Sequence, residues 1–473
     1  MMLKEKYPNV AFGTSGVRAL VSDLNQSVIF DYTYAFIKRM EQSGLLLNGQ
    51  TLALAMDLRP SSSFICNAIK QSVEQLGYEV TFLGEIPTPA LALHCFTTKS
   101  PGIMVTGSHI PFDRNGMKFY SPIGEILKDD EVAISSTKTL ENSDAFIVGD
   151  ALEANPIAKQ AYINRYIDFF GKDILNDINI GVYQHSAVGR DVVTEILSLL
   201  GANVVSLGRS DEFIPIDTEA VTQEDATQAK IWCKQYHLDA LVSTDGDGDR
   251  PMVFDANGEF VRGDILGLLT AKLLKIENLV VPVSCNTAIE KSGDFKQVIR
   301  TKIGSPYVIA EMNEIIAHGE KNTSGFEANG GFILGAMINS LAALPTRDAM
   351  LPIIAGLVLA IENKTTLALL VESLPQRYTH SDRLKNFPSN KSQEILSLLI
   401  NSQPEQQAFF KDSPGVANVN TTDGARFTLS NGDVVHLRAS GNAPELRCYA
   451  ESDAIDKAMA LCSQSLKDVV KLL

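Results

Sequence analysis

A mixed α/β fold is predicted, with three similar α/β blocks and a smaller C-terminal α+β domain. Three observations point to it. Short apolar runs alternate with stretches of helical periodicity, which is the βαβ rhythm of an open sheet. That rhythm restarts after a polar stretch near Asp150 and again from Gly258. Near the end it gives way to two apolar runs joined by Asn431-Gly432-Asp433, a strong hairpin signal. At 473 residues the chain has room for three or four domains.

In the first block, residues 51–56 read as a buried strand. Residues 62–76 have helical periodicity, and Gly77 suits the end of that helix. Residues 78–83 are the next strand and 85–89 a turn. The second block reads as strand 178–183, helix 189–200 and strand 203–207. The apolar run Ala240-Leu241-Val242 ends another buried strand. The third block runs to about Leu369, with a strand at 279–283 and a helix at 304–316. The longest apolar run, 349–361, contains Pro352 and is too short to span a bilayer. It reads as a buried helix. Residues 374–387 are polar, with a proline near each end, and read as a hinge into the last domain. There 424–430 should pair with 434–439. The predicted domains are thus 1–150, 151–256, 257–373 and 374–473.

Hydrophobic content of 45% and charged content of 21% are ordinary for a globular protein. A net charge of −15 argues against nucleic acid and acidic membrane surfaces as partners. The six cysteines form no Cys-x-x-Cys pair and most lie in apolar stretches. They read as reduced core thiols of a cytoplasmic protein. The opening Met1-Met2-Leu3-Lys4-Glu5-Lys6-Tyr7 has no apolar signal region.

Three segments carry chemistry. Asp245-Gly246-Asp247-Gly248-Asp249-Arg250 places carboxylates at alternating positions, so that on an extended segment they converge on one side. The glycines let the backbone curl toward one point. Converging carboxylates repel unless a cation neutralises them, and hard oxygen donors favour Mg2+ or Ca2+ over zinc. An EF-hand is excluded, because its sixth position would be Arg250 and its twelfth Ala256. A second segment, Thr106-Gly107-Ser108-His109-Ile110-Pro111, follows an apolar run and presents Ser108 on a sharp turn, its hydroxyl exposed. Alone, the serine reads as an ordinary turn residue or helix cap. The esterase signature fails, because Thr106 and Ile110 stand where glycines are required. Ten residues on, Lys118 brings a cation. The third segment, Arg438 to Arg447, sets Ser440, Gly441 and Asn442 between arginines. It suits a phosphate and equally suits a loop with solvated arginines.

Together these motifs resemble the α-D-phosphohexomutase family, which includes phosphomannomutases and phosphoglucomutases. The resemblance runs nearly end to end and in the family's order. It opens with Phe12-Gly13-Thr14-Ser15-Gly16-Val17-Arg18, then the serine and aspartate loops. A sugar-type loop, Gly325-Phe326-Glu327-Ala328-Asn329-Gly330-Gly331, comes next, and the arginine loop is last. There are departures. The serine loop usually reads T-A-S-H-N-P, whereas Gly107 and Ile110 stand here. The sugar loop usually reads G-E-M-S-G, and Asn329 stands where serine is common. The final loop is usually S-G-T-E-P and reads S-G-N-A-P here. Ser305 takes the place of histidine in a K-V-G-H-like segment, 301–305. The sugar and final loops look most like a bacterial phosphomannomutase branch.

The resemblance implies four domains around a central cleft and an enzyme that moves a phosphoryl group between O1 and O6 of a hexose phosphate. Mannose is the first choice of sugar. Ser108 would carry the phosphoryl group, with Arg18, Lys118 and His109 catalytic beside it. Asp245, Asp247 and Asp249, with Ser108, would hold Mg2+. Arg250, Lys302, Gly304, Glu327, Asn329, Arg438, Ser440, Gly441, Asn442 and Arg447 would bind substrate. A hexose 1,6-bisphosphate would be intermediate and activator, and the protein a monomer or dimer. The alternatives are a phosphoglucomutase of the same family, a phosphatase, and a non-catalytic protein binding sugar phosphate or metal on the same scaffold.

Overall fold

The computed structural model describes residues 1–13, 16–46, 50–140, 152–440 and 444–472. The chain forms two compact units. One contains Met1–Ile276 and Gly304–Leu370, the other Glu277–Ile303 and Val371–Leu473.

The first sheet of the larger unit grows from Thr51–Met56, whose burial is continuous rather than alternating. That is the signature of a parallel strand covered on both faces. It pairs in parallel with Glu79–Glu85 and with Gly102–Val105. The helices Ser62–Gln75 and Thr88–Thr98 make the crossovers. Gly102–Val105 then pairs antiparallel with Arg114–Ser121, and that strand with Val17–Leu20. Leu52, Leu54, Ile103, Val105 and Phe119 pack with Phe36 and Met40 into a buried core. The predicted strand 51–56 and helix 62–76 are found within a residue, and the strand at 78–83 runs from Glu79 to Glu85.

A second sheet has the order Phe260–Val261, Pro251–Asp255, Ala240–Thr244, Asn179–His185, Asn203–Arg209. Its helix Arg190–Leu199 matches the predicted 189–200. Phe260–Val261 pairs with Pro251–Asp255 at the edge of this sheet. Three further strands, Thr323–Phe326, Phe332–Leu334 and Leu344–Asp348, form an antiparallel run. The apolar run reads correctly as a buried helix, Met350–Glu362. No helix among the described residues is long and apolar enough to cross a membrane. The boundary near residue 150 lies outside the described residues.

The smaller unit holds a five-stranded antiparallel sheet in the order Tyr378–Lys385, Glu445–Ser452, Val434–Ala439, Ala425–Leu429, Val416–Asn420. The predicted Asn-Gly hairpin is there: Ala425–Leu429 pairs with Val434–Ala439, and Gly432 has φ +85°. Helices Ser389–Asn401 and Ile455–Lys471 pack on the sheet, burying Leu399, Phe427, Leu437, Leu446 and Cys462. One expectation is corrected here. The polar segment 374–387 is no hinge, because its middle is the edge strand Tyr378–Lys385, paired along its whole length with Glu445–Ser452. It lacks apolar alternation because most of its side chains are at least partly exposed. Residues 277–303 group with this unit by compactness. Hydrogen bonds hold them: Thr287 N donates to Glu451 Oε2 at 3.0 Å, Asn286 Nδ2 to the Arg377 carbonyl at 2.9 Å and Ile303 N to Asp423 Oδ2 at 3.0 Å. All six cysteines are buried, and none of them forms a disulfide.

Candidate active site

Strand Gly102–Val105 delivers the chain into the serine turn. Ser108 adopts φ +54°, the left-handed region that non-glycine residues rarely occupy. An arginine outside the sequence motifs holds it there. Arg59 donates to the carbonyls of Ser108 at 2.9 Å, Pro111 at 2.7 Å and Arg114 at 2.9 Å. Asp57 accepts from Arg59 Nε at 3.2 Å and from Thr106 Oγ1 at 2.8 Å. Thr106 Oγ1 in turn accepts from Ser108 N at 2.7 Å. A Cβ on Gly107 would lie 2.6 Å from Arg59 Cζ, which gives this departure from the family pattern a steric reason.

Ser108 is fully buried rather than exposed, because the aspartate loop closes over it. Its Oγ donates to Asp245 Oδ2 at 2.6 Å and lies 3.3 Å from His109 Nδ1. The aspartates sit on a hairpin loop rather than on an extended segment: Thr244 pairs with Pro251, and Asp245 N donates to the Arg250 carbonyl at 3.1 Å. Gly248, at φ +74°, makes the turn possible. Backbone bonds from Thr88 N to the Asp247 carbonyl (2.9 Å) and from Val188 N to the Gly246 carbonyl (3.0 Å) fix the loop. The three carboxylates then lie within 4.8 Å of one another, all buried.

Cations surround them. Lys118 Nζ, on strand Arg114–Ser121, donates to Asp247 Oδ2 at 2.6 Å and Asp249 Oδ2 at 2.7 Å. Burial alone would lower the lysine, but these carboxylates outweigh it and hold its pKa above the ordinary value. Arg250 Nε lies 3.9 Å from Asp245 and 3.7 Å from Asp249, too far to bond, and is a buried donor without a partner. Arg18 lies opposite Gly116 on the neighbouring strand, and burial with the nearby Arg250 lowers it to about 10. Arg250, with burial and Arg18, pushes His109 down to about 2, so its imidazole is neutral. Burial and its two neighbouring carboxylates push Asp245 well up. Burial opposes ionisation of Asp249 too, but Arg347 and Lys118 outweigh it and hold that carboxyl below its ordinary value.

The sugar-type loop is also a hairpin turn, between Phe326 and Phe332, with Gly330 at φ +85°. Glu327 and Asn329 are buried on it. Glu327 Oε2 accepts from Arg347 Nη1 at 2.8 Å, and Asn329 Oδ1 accepts from Gly331 N at 3.0 Å. Gly304, at φ +130°, precedes the helix Ser305–Ala317. Sequence reasoning missed Arg59, Thr88 and Arg347. None belongs to a local motif, and no spacing in the sequence marks them.

In the smaller unit, Arg438 and Arg447 are direct cross-strand neighbours, and Arg447 is also opposite Arg383. Like charges opposite one another on a sheet face repel, which an anion would relieve. Arg438 Nε donates to Asp423 Oδ2 at 2.8 Å, the same oxygen that accepts from Ile303 N beside Lys302. Arg447 Nη2 reaches Glu445 Oε2 at 3.4 Å, while its buried Nε has no partner. Ser440 is buried, and its N donates to the Glu445 carbonyl at 2.9 Å. Gly441 and Asn442 lie outside the described residues.

Phosphoglucomutase/phosphomannomutase family models match the chain in four pieces. These are α/β/α domain I over residues 9–143, domain II over 160–258, domain III over 262–378 and the C-terminal domain over 399–468. A phosphomannomutase of Salmonella muenchen is 45% identical over 468 residues, covering 97% of this chain and 95% of its own. One from Sinorhizobium fredii is 42% identical over 463 residues, covering 96% and 98%. A phosphoglucomutase/phosphomannomutase family protein from Burkholderia thailandensis shares the fold, with a TM-score of 0.75 at 19% identity over 97% of each chain. The chain belongs to the phosphoglucomutase/phosphomannomutase family, the α-D-phosphohexomutases, and is an intramolecular phosphotransferase of hexose phosphates.

Proposed function

We propose that the enzyme interconverts mannose 6-phosphate and mannose 1-phosphate through a phosphoserine at Ser108. The observation that carries this reading is the hydroxyl of Ser108 on Asp245, within a carboxylate triad ringed by Lys118, Arg18 and Arg250. In the first half, the sugar O1 attacks the phosphorus on Ser108. The O1–P bond forms, the Oγ–P bond breaks, and the proton given up by O1 is returned to Oγ. A mannose 1,6-bisphosphate results. In the second half, Oγ takes the phosphoryl group from O6 by the reverse sequence, leaving mannose 1-phosphate.

The triad fits a magnesium ion. Asp247 Oδ1 and Asp249 Oδ1 are buried acceptors without partners, which a hard cation would satisfy. Asp245, Asp247 and Asp249, with Ser108, would hold Mg2+, which when bound offsets the charge of the transferring phosphoryl group. Lys118 and Arg18 supply fixed positive charge, and positioning with charge neutralisation is most of what phosphoryl transfer requires. His109, kept neutral, orients the serine oxygen. Arg250, Gly304, Glu327 and Asn329 meet the sugar phosphate on the larger unit. Lys302, Arg438, Ser440, Gly441, Asn442 and Arg447 take a phosphate on the smaller. Boundaries near 150, 256 and 373 would divide the four domains, and six buried cysteines outside disulfides support a reducing, cytoplasmic setting. Mannose rests on the two phosphomannomutases above.

Incubation with mannose 1-phosphate, Mg2+ and a trace of the bisphosphate tests the reading. Isomer formation supports it, and release of free phosphate would make the protein a phosphatase. Comparing kcat/KM for glucose 1-phosphate decides the sugar. Ser108→Ala should lower turnover by roughly a thousandfold or more. Intact mass of the wild type should show one added phosphoryl group, mapped to Ser108. An active Ser108→Ala protein with phosphate on another serine would overturn the assignment.

A further inference from the structure

Arg347 is the largest fully buried side chain described, at 1% exposure. Burying a guanidinium is costly unless every face finds a partner. Its Nε and Nη2 donate to Asp249 Oδ2 at 3.1 and 2.8 Å. Its Nη1 donates to Glu327 Oε2 at 2.8 Å and to Ser305 Oγ at 3.3 Å. One guanidinium therefore bridges the aspartate loop and the sugar-type loop.

The seat for this side chain is built by small residues. A Cβ on Gly331 would lie 2.8 Å from both Cγ and Cδ of Arg347, the stem rather than the mobile tip. Ser305, where the family pattern has histidine, is buried and small enough to leave the guanidinium its space. Its hydroxyl donates onward to Glu125 Oε2 at 2.9 Å. The backbone is anchored next door, where Asp348 accepts from Tyr162 and Tyr166 and caps the following helix through Met350 N at 3.1 Å.

We propose that Arg347 is a positioning residue for sugar recognition, holding Glu327 in the orientation that meets the sugar hydroxyls while tied to Asp249. Ser305, one of the sequence departures, and Gly331 are then parts of one device that admits this arginine. The inference rests on Glu327 being a sugar contact, as proposed above.

The test uses the full-length protein with mannose 1-phosphate, Mg2+ and trace mannose 1,6-bisphosphate. The variants are Arg347→Lys, Gly331→Ala, Glu327→Gln and the double Arg347→Lys/Glu327→Gln. Lysine keeps the charge but loses the fork, so it reaches one carboxylate and releases the other. Arg347→Lys and Gly331→Ala should each raise KM roughly tenfold. In the Glu327→Gln background, Arg347→Lys should leave KM within about twofold, because the charge pairing it weakens has already been removed. A purely structural ion pair would lower the melting temperature without this KM coupling. Unchanged KM in Arg347→Lys and Gly331→Ala, or KM effects that multiply in the double variant, would overturn the proposal. Should Arg347→Lys fail to fold, Gly331→Ala decides alone: its φ is not in the left-handed region, so alanine strains only the arginine's seat. An active wild type with unaltered variants counts against Arg347 alone. A wild type without isomerase activity overturns the proposed function as well.

Discussion

Ser108 Oγ and Asp245 Oδ2 lie 2.6 Å apart although 137 positions of chain separate them. A turn at the end of one sheet and a hairpin loop at the end of another meet there. The contact needs Gly246, because a Cβ at that position would stand 2.7 Å from the Ser108 carbonyl. Ser108, the proposed phosphoryl carrier, and the carboxylate cage are thereby a single site, and each prediction below perturbs one support of that site or of the fold.

Asp247→Asn removes one charge from the cage and keeps its shape. Asp247 Oδ2 accepts from Lys118 and Thr88, which the amide oxygen can still do, so the melting temperature should change little. Affinity for Mg2+, measured by calorimetry, should fall about tenfold or more, and activity should stay low at high Mg2+. Wild-type activity untouched by EDTA would make the triad purely structural.

Gly107→Ala should be destabilising although alanine is the family's usual residue there. The added methyl would lie within 2.6 to 2.9 Å of the Arg59 guanidinium. That group cannot retreat without abandoning the carbonyls of Ser108, Pro111 and Arg114. A loss of roughly 1–3 kcal/mol by denaturant unfolding, with lower kcat, is expected. Wild-type stability and rate together would show that Arg59 does not hold the turn.

Arg447→Ala should lower kcat/KM for a hexose 1-phosphate about ten- to a hundredfold, the worth of a charge-assisted bond of roughly 1.5–3 kcal/mol. Most of the loss should be in KM, since the phosphate it is proposed to grip would be present before and during the reaction. Arg447→Lys should recover only part of it. Phosphoserine at Ser108 should be unaffected, because the two residues belong to different units. Unchanged kcat/KM would remove this arginine from the phosphate site.

Acid should destabilise the smaller unit through His436. Its Nε2 lies 2.6 Å from the Asp423 carbonyl, which can only accept, so Nε2 carries the proton. Nδ1 is buried without a partner, and burial lowers the pKa from 6.5 to about 4. The folded state thus favours neutral histidine more than the unfolded chain does. The resulting stability is complete above pH 6.5 and is lost as pH falls toward 4, a span worth roughly 3 kcal/mol. His436→Gln keeps a donor for the carbonyl and cannot titrate. Its unfolding free energy should vary less between pH 7 and 4.5 than that of wild type, and an equal dependence would exclude His436 as the source.

Elements with their own periodicity were legible from sequence alone: strand Thr51–Met56, helix Arg190–Leu199 and the hairpin around Gly432 each carry their signal within a dozen residues. So were the serine turn and the aspartate loop, because the chemistry of each is concentrated in one short segment. The edge strand Tyr378–Lys385 was not, since none of its side chains is fully buried, so it shows no apolar alternation and reads as a polar linker. The grouping of 277–303 with the C-terminal residues depends on bonds such as Thr287 to Glu451, between positions 164 apart. Arg59 and Arg347 were invisible for the same reason. A lone arginine in a sequence is equally a solvated charge or a buried clamp, and only the folded chain, by closing carbonyls or carboxylates around it and excluding water, decides which.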